Sequence, residues 1–392
     1  MNLTAIKVCR NKGKNNEWSI EGKPENNHFG QWLSFENINL IVGKNASGKS
    51  RLIDSLRNIA DLLSGDTKIA DLGYNAAIFE LEFENNEDTI DYFLEFENGK
   101  IIQETLDITL KNGEKIEKLN RAKKLLFYET TKGYLAFKTS DDLLAVTRRD
   151  SEQQPFFEVL SNWGKHVSHY RFGTYLGKHS LLRDINLMND NEEVDLKNAN
   201  RVTEVFIKGK KHISDFEEII IQDMEEIGYP ISKIHPKLQI VPGYGISVQE
   251  CELSDITDQI EMSQGMFRAL SLLIQLNYSL LFKIPSCILI DDIGEGLDYE
   301  RAKSLIHLII NKINNNQVDV QVIMTTNDRF IMNNVPLKYW SVIRRMPAKS
   351  IFYNYQNSKE TFNDFSLTRL NNFEFFSTDF FEKGFEEYVN AQ

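Results

Sequence analysis

A glycine-rich loop contains the residues whose chemistry is clearest. Positions 43–50 read Gly-Lys-Asn-Ala-Ser-Gly-Lys-Ser, a complete G-x-x-x-x-G-K-[ST] phosphate-binding pattern. In such a loop the backbone N–H groups surround a phosphate, the lysine reaches the β- and γ-phosphates, and the last hydroxyl holds Mg²⁺. The pattern therefore predicts that the chain binds a nucleoside triphosphate. The residues expected around the nucleotide are Gly43, Asn45, Gly48, Lys49, Ser50 and Arg51.

The sequence on either side of this loop supports the prediction. Residues 38–42 are Ile-Asn-Leu-Ile-Val, which is typical of a buried parallel strand. Residues 50–56 carry apolar side chains at helical spacing. A strand, a glycine-rich turn and a helix together place a bound phosphate at the N-terminus of the helix.

A second group of polar residues follows a later apolar segment. Residues 287–290 are apolar and are followed by Asp291 and Asp292. A carboxylate at the tip of a strand suits Mg²⁺ coordination, which we assign to Asp291, and Asp292 is placed to act as the general base toward water. Upstream, Ser263 is a good N-cap for a long apolar helix. The start of that helix, including Gly265, is a candidate contact for the γ-phosphate.

The remaining pattern predicts the elements that position these residues. Between positions 76 and 138, short alternating runs separated by turns such as Asn98-Gly99 predict an antiparallel meander. From position 238 onward, strands and helices alternate, which predicts a parallel sheet with right-handed crossovers. The expected helices are 214–227, 265–282 and 299–313, the expected strands are 286–291 and 318–325, and a basic loop is expected at 208–212.

Composition narrows the class of protein. The chain has 392 residues, a formal net charge of −12 and three cysteines without C-x-x-C spacing, so we predict neither a zinc site nor a disulfide framework. The acidic balance argues against a surface that coats nucleic acid non-specifically. The N-terminus does not read as a signal peptide, and the most apolar stretch, 270–282, is interrupted by polar residues. We therefore expect a cytoplasmic protein that does not bind a membrane.

The order of these motifs resembles an ABC-type ATPase head. The phosphate loop is followed by Ser263 and Gly265, then by Asp291-Asp292 and Leu297-Asp298. The chain is most similar to the branch that contains the RecF, SMC and OLD (overcoming lysogenisation defect) ATPases. The resemblance covers roughly residues 1–150 and 236–345.

This resemblance implies a working dimer. In the family, two heads sandwich two ATP molecules, so Ser263 and Gly265 of one copy would contact the γ-phosphate held by Lys49 of the other. It implies as well that Asp298 lies in a loop that communicates between the two sites. The cofactors implied are ATP and Mg²⁺, and the partner is a second copy of the chain, with a higher oligomer left open.

The chain departs from the family at the positions that act on water. Asp292 stands where the family usually has glutamate, and Asn327 stands where a switch histidine is common. The glutamine that contacts Mg²⁺ in the family is not identified by any motif, although Gln153 and Gln154 lie in the expected region. Asparagine can hydrogen-bond a phosphate but cannot gain a proton near neutral pH. We therefore expect an ATPase that hydrolyses slowly, with Lys49, Asp292 and Asn327 as its catalytic residues.

The sequence leaves open which process ATP binding and hydrolysis by this chain would control. OLD-type relatives often carry a Toprim nuclease domain, whereas the residues after Asp328 lack its acidic clusters, so we expect no nuclease in this chain. Stand-alone heads of this branch often serve bacterial anti-phage or DNA-repair systems with a separately encoded effector. DNA is a candidate ligand through three groups of cations, which are Lys208, Lys210 and Lys211, the pair Arg148-Arg149 and the pair Arg344-Arg345. Each group is also explained as a solvated turn.

Two other functions remain compatible with the sequence. One is a nucleotide-gated scaffold that hydrolyses little and sequesters a partner effector. The other is a small-molecule P-loop kinase, which the segment from Ser263 to Gly265 argues against.

We predict an α/β P-loop head with a mainly parallel central sheet, an antiparallel β subdomain and a helical insertion. The predicted division has a first ATPase lobe at 1–150, a mainly helical insertion at 151–235, a second lobe at 236–356 and a tail at 357–392. The tail is rich in phenylalanine and acidic residues. It is interpreted either as a helix that packs on its own domain or as a docking helix for a partner.

Overall fold

The structure is a computed structural model that describes residues 1–23, 32–148, 150–183 and 194–390, without the side chains of 386–390. The chain divides into two compact units. The first combines Met1–Lys165 with Pro336–Gln392, and the second is His166–Val335. The four-part division made from the sequence stays a prediction.

The first unit contains a large sheet and a small number of helices. Its strands are β1 (Asn2–Arg10), β2 (Trp18–Gly22), β3 (Leu33–Ser34), β4 (Ile38–Val42), β5 (Ala76–Asn85), β6 (Asp88–Glu97), β7 (Lys100–Thr109), β8 (Lys115–Asn120), β9 (Leu125–Tyr128), β10 (Gly133–Ala136), β17 (Trp340–Met346) and β18 (Lys349–Asn354). Its helices are α1 (Lys49–Ser64), α2 (Pro155–Lys165), α8 (Lys359–Leu367), α9 (Asn372–Ser377) and α10 (Phe380–Asn390).

The antiparallel meander predicted for residues 76–138 is confirmed. Strands β5 to β10 pair in sequence order, each antiparallel to the next. Inward side chains alternate with outward ones, so Phe79, Leu81 and Phe83 of β5 are fully buried. The sheet continues through β1, β2, β18 and β17 to β4. In this unit the parallel pairs are β2 with β18 and β4 with β17.

The second unit supplies the parallel α/β part of the fold. Its strands are β11 (Val167–Arg171), β12 (Ile231–Leu238), β13 (Tyr244–Glu250), β14 (Thr257–Asp258), β15 (Ser286–Asp291) and β16 (Val320–Thr326). Its helices are α3 (Val202–His212), α4 (Phe216–Glu226), α5 (Gln264–Leu281), α6 (Tyr299–Asn314) and α7 (Arg329–Asn334).

Strand β15 lies between β11 and β16, and both pairings are parallel. The run 286–291 is buried except at its last residue because helices cover a parallel strand on both faces. A separate antiparallel sheet contains β12, β13 and β14. The mixed α/β fold predicted from the sequence is thus confirmed, and the helices and strands predicted after position 238 lie within two residues of their expected ends.

The basic loop predicted at 208–212 is wrong, because these residues complete α3. One face of this helix is buried through Val202, Val205 and Phe206. The basic residues lie at its C-terminal end and form its last turn. Lys208 is only 5% exposed, and Lys210 forms an ion pair with Glu217. These lysines are therefore largely occupied within the chain. Arg149, of the basic pair with Arg148, lies outside the described residues.

The tail packs on its own unit, as the simpler of its two interpretations expects. Phe375 and Phe380 are fully buried, and the Phe375 ring lies 4.6 Å from Phe362 and 6.5 Å from Trp340 between centroids. Such aromatic contacts contribute about 0.5–1.5 kcal/mol beyond the area that they bury. In the described part of the chain, no helix has the length and apolar character that crossing a bilayer requires.

Candidate functional site

The glycine-rich loop at 43–50 joins β4 to α1 in the first unit. All five residues of β4 are buried, and α1 begins at Lys49. Two glycines are required by the backbone of this turn. A Cβ at Gly43 would lie 2.3 Å from Ile343 Cγ2, and Gly48 has a φ of 114°, which side chains rarely adopt. The sequence pattern therefore produces a tight turn with a helix N-terminus at its end.

Lys49 places its ammonium at this turn. The side chain is 7% exposed, and Nζ donates to the carbonyl oxygens of Gly43 at 2.8 Å and of Lys44 at 3.3 Å. Gly48, the N-cap of α1, has no side chain to satisfy the first backbone N–H groups of the helix. These N–H groups and the buried cation form an anion site of the kind that binds a phosphate. Ser50 and Arg51 lie on the exposed side of the first turn.

Distant residues hold the outer side of the loop. Arg345 Nη1 donates to the Ala46 carbonyl at 2.9 Å, and Ser350 Oγ donates to the Ser47 carbonyl at 2.8 Å. Trp18 Nε1 in turn donates to Ser350 Oγ at 3.2 Å. The sequence analysis missed this support, because Arg345 and Ser350 lie about 300 positions from the loop and carry no local motif. Arg345 is a candidate for DNA contact by sequence, and in the structure its guanidinium also contacts the loop.

The tail also meets the loop region. Lys44 Nζ lies 3.9 Å from Asp379 Oδ1, and Arg344 forms an ion pair with Glu382. A cavity of about 410 Å³ lies beside the loop and is lined by residues 44–47, 343–345, Phe376, Asp379 and Phe381. The exposed ion pairs are each worth little in stability, so the buried phenylalanines dominate the packing of the tail.

In the second unit, Thr325 links the Asp291 carboxylate to the backbone of Asp292. Its Oγ1 donates to Asp291 Oδ1 at 2.6 Å and accepts from the backbone N–H of Asp292 at 2.9 Å. Asp292 has a φ of 56°, a left-handed conformation that Asp and Asn adopt more readily than most residues. Asn327 follows the end of the neighbouring strand β16 and is exposed. The structure therefore brings Asp291, Asp292 and Asn327 to the carboxyl ends of two adjacent parallel strands.

The start of α5 lies against the segment that follows β15. Ser263 is the N-cap, and its Oγ accepts from the Met266 N–H at 3.2 Å. A Cβ at Gly265 would lie 2.4 Å from the Gly296 carbonyl oxygen, so only glycine allows this approach. Ser263, Gly265 and the residues leading to Asp298 are thus brought together.

Asp298 caps the next helix. Its Oδ1 accepts from the Arg301 N–H at 3.1 Å, and Oδ2 lies 2.8 Å from Arg301 Nη1. The hydrogen bond from the Arg301 N–H has the largest effect on the pKa of the Asp298 carboxyl. Together with the Arg301 guanidinium, it holds this pKa below its usual value. The aspartate is therefore ionised at neutral pH.

The chain carries oxygen donors of the kind that Mg²⁺ prefers. Ser50 in the first unit offers a hydroxyl, and Asp291 in the second unit offers a carboxylate. Within the described ranges, no cluster of three or more His, Cys, Asp or Glu side chains could hold a metal ion alone. Mg²⁺ in nucleotide sites takes one or two protein oxygens and completes its shell with phosphates and water. Of the two candidate glutamines, Gln154 is buried and Gln153 Oε1 accepts from Thr130.

The Gly265 contact gives a first testable prediction. We expect Gly265→Ala to lower the free energy of unfolding by about 1–3 kcal/mol, because the new methyl group must displace backbone at Gly296. Gly73→Ala is the matched control, since nothing lies within 4 Å of a Cβ there. Urea denaturation of both variants measures the difference. Equal stability of the two variants would show that the close approach at Gly265 is not present in solution.

Comparison with known proteins yields structural likeness only. No protein-family model and no curated protein sequence matches the chain. Among solved structures, it is similar to an Smc head bound to the C-winged helix domain of ScpA, with 16% identity, a TM-score of 0.49 and coverage of 90% of this chain and 97% of that one. It is also similar to the SMC head domain from Thermotoga maritima, with 15% identity, a TM-score of 0.44 and coverage of 90% and 98%.

A third match is an Smc head domain with an extended coiled coil, bound to the C-terminal domain of ScpA and derived from Pyrococcus furiosus. It shows 14% identity and a TM-score of 0.47 over 93% of this chain and 99% of that one. Because all three TM-scores lie below 0.5, the functional argument rests on the residues of this chain.

Proposed function

We propose that the chain is an ABC-type ATPase that binds and slowly hydrolyses ATP. The observation that carries this proposal is the loop at 43–50, where the buried Lys49 ammonium and the N-terminus of α1 form an anion site. A β-strand, a glycine-dependent turn and a helix are the arrangement that binds the phosphates of a nucleotide. The loop residues Gly43, Asn45, Gly48, Ser50 and Arg51 complete this cofactor site.

Further residues are assigned to Mg²⁺ and to the terminal phosphate in this proposal. Ser50 and Asp291 would hold Mg²⁺, which neutralises charge on the phosphate oxygens when it is bound. Asp292 orients and deprotonates the attacking water, and Thr325 supports this role because it fixes the Asp292 backbone. Asn327 donates a hydrogen bond to the phosphate.

The assembly that we propose is an ATP-dependent homodimer. Ser263 and Gly265 of one copy contact the γ-phosphate bound to Lys49 of the other, and Asp298 communicates between the two nucleotides. Support for this comes from the motif order and from the packing of Gly265 on the segment that leads to Asp298. Such a dimer would act on DNA or control a separately encoded effector, such as a nuclease, in bacterial anti-phage defence or DNA repair. The resemblance to RecF, SMC and OLD heads is the support for these roles.

A second candidate function is a nucleotide-gated scaffold that binds ATP and hydrolyses little. The observation that favours it is that Asp292 is one methylene shorter than the glutamate usual in the family. A carboxylate misplaced by about 1 Å can lower the rate about a hundredfold. ATP binding without turnover would support the scaffold, whereas turnover that depends on Asp292 would support the enzyme.

The proposed function is tested by removing the Lys49 ammonium. We expect Lys49→Ala to raise the Kd for ATP by about 10- to 150-fold, because a charge-assisted hydrogen bond contributes about 1.5–3 kcal/mol. The control is Lys111→Ala, which removes an exposed lysine from the meander. Isothermal titration with ATP and Mg²⁺ measures both affinities. ATP affinity equal in wild type and Lys49→Ala would overturn the proposal.

A further inference from the structure

One buried cation near the start of α5 has no role in the function proposed so far. Arg268 lies five residues after the N-cap Ser263, and it is only 7% exposed. Its Nε and Nη2 donate to the Thr174 carbonyl at 3.2 and 3.1 Å, and its Nη1 donates to the Glu295 carbonyl at 2.6 Å. One guanidinium therefore joins α5 to two loops, one after β11 and one after β15.

These contacts depend on the shape of the guanidinium. Two of its nitrogens converge on one carbonyl oxygen while the third points to another loop. Gln264 Nε2 donates to the same Thr174 carbonyl at 2.9 Å. A lysine ammonium has no planar fork and cannot bridge both carbonyls in this way.

Removing the Arg268 guanidinium from water costs free energy, so packing alone does not explain an arginine at this position. Desolvation lowers the pKa of the Arg268 guanidinium, and the nearby Glu295 carboxylate opposes that effect. A charge taken out of water is costly unless its hydrogen bonds are satisfied, and an apolar residue would avoid the cost altogether. The hydrogen bonds to the Thr174 and Glu295 carbonyls therefore best explain why an arginine occupies this position.

The backbone held by Arg268 belongs to the segment between Glu295 and Asp298. Gly296 has a φ of 84°, and a Cβ there would lie 2.5 Å from Arg268 Nη1. On the other side, the Gly296 carbonyl is the group that closely approaches Gly265. This segment is thus held against the first turns of α5 by Gly265, Gly296 and Arg268.

We propose that Arg268 is a positioning residue that holds the Glu295–Asp298 segment against the start of α5, so that Ser263 and Asp298 meet the nucleotide of a second copy in one orientation. This inference rests on the proposed function. Arg268 does not itself contact ATP in this arrangement. Its loss therefore affects dimerisation and turnover and leaves the affinity of a single head for ATP unchanged.

The structural half of the inference is tested by hydrogen exchange, which needs no nucleotide. The backbone N–H groups of Glu295 and Leu297 are hydrogen-bonded to Asp292 and Gly294 carbonyls at 3.2 and 3.0 Å. We expect Arg268→Lys to speed exchange of these amides by at least about tenfold. The control is Arg57→Lys on α1, an exposed arginine paired with Asp61. Unchanged protection in Arg268→Lys would overturn the inference.

The functional half is tested on the same variants by ATP titration, single-turnover hydrolysis and light scattering. We expect Arg268→Lys to keep the Kd for ATP within about twofold while the rate and the ATP-dependent dimer fall by at least about tenfold, since small misplacements have effects of that size. In Arg268→Ala, millimolar guanidinium should restore part of the rate. Faster exchange with wild-type turnover and dimerisation would overturn the positioning role, as would a parallel loss of ATP affinity.

A different result would overturn the proposed function itself. A wild-type chain that binds no ATP would overturn it, whatever the exchange result. A wild-type chain that hydrolyses ATP while Arg268→Lys behaves identically would overturn only the role of Arg268.

Discussion

Replacing Asp292 with asparagine should reduce single-turnover ATP hydrolysis by about 10²- to 10⁴-fold, the range that a general base contributes. The amide has almost the same shape as the carboxylate but cannot accept a proton from water. We expect the Kd for ATP to stay within about twofold of wild type, because the phosphate-binding loop is untouched. The ATP-bound dimer should therefore accumulate.

The local structure makes Asp292→Asn an informative substitution. Asp292 has a φ of 56°, and asparagine tolerates that conformation as well as aspartate does. Its N–H can still donate to Thr325 Oγ1, so the backbone at the end of β15 is preserved. A longer residue such as glutamate would change both the reach of the side chain and the backbone preference.

Asp328→Asn is the matched control for this experiment. Asp328 is the N-cap of α7, where its Oδ1 accepts from the Phe330 N–H at 2.6 Å, and asparagine caps helices equally well. Rapid-quench assays measure hydrolysis, and light scattering measures the dimer. Wild-type hydrolysis in Asp292→Asn would exclude Asp292 as the base. Wild-type protein that binds ATP without measurable turnover would instead favour the scaffold.

The parts of this fold that were predictable are those fixed by neighbours in sequence. The strand at 286–291 was predicted with its observed ends, because a short apolar run closed by two carboxylates has few alternatives. The meander was predictable because Asn98-Gly99 and similar turns force hairpins. The turn between β4 and α1 was predictable for the same reason, since its glycines act on the adjacent backbone.

The parts that were not predictable depend on contacts between distant positions. Arg345 and Ser350 hold the loop at Ala46 and Ser47 across about 300 residues, and no local pattern relates them. Thr325 carried a weak signal, because it ends a strand expected next to the one that bears Asp291. The end of α3 was mistaken for a loop because its run of cations outweighed the apolar face that begins at Val202.

The largest stability effect that we expect lies outside the candidate site, at a buried carboxylate in the meander. Glu104 is fully buried on β7, and its Oε2 lies 3.1 Å from Arg121 Nη1. It also accepts from Tyr92 Oη at 3.0 Å and from the Ala145 N–H at 2.9 Å. Arg121 in turn donates to the Leu143 and Ser140 carbonyls at 3.0 and 2.6 Å. This network fastens the segment 140–145 to the sheet.

We expect Glu104→Ala to lower the free energy of unfolding by about 3–5 kcal/mol, because it leaves the largely buried Arg121 cation and two polar groups without their acceptor. Glu104→Gln should cost less, since the amide oxygen can still accept from Ala145. Urea denaturation of both variants measures the two losses. A loss in Glu104→Ala no larger than in Glu104→Gln would contradict the role of the buried hydrogen-bond acceptor.

Wild type and Glu104→Gln should also differ in the pH dependence of the free energy of unfolding. Burial raises the pKa of Glu104 above its ordinary value, and the Ala145 N–H and Arg121 only partly oppose this. A carboxyl whose pKa is raised on folding binds its proton more tightly in the folded state, so its contribution to stability falls as pH rises. The fall begins near the unfolded value of about 4.3 and ends above the raised folded value. Relative to wild type, Glu104→Gln should therefore gain stability across that window, and a difference that is constant or shrinks with rising pH would contradict the raised pKa.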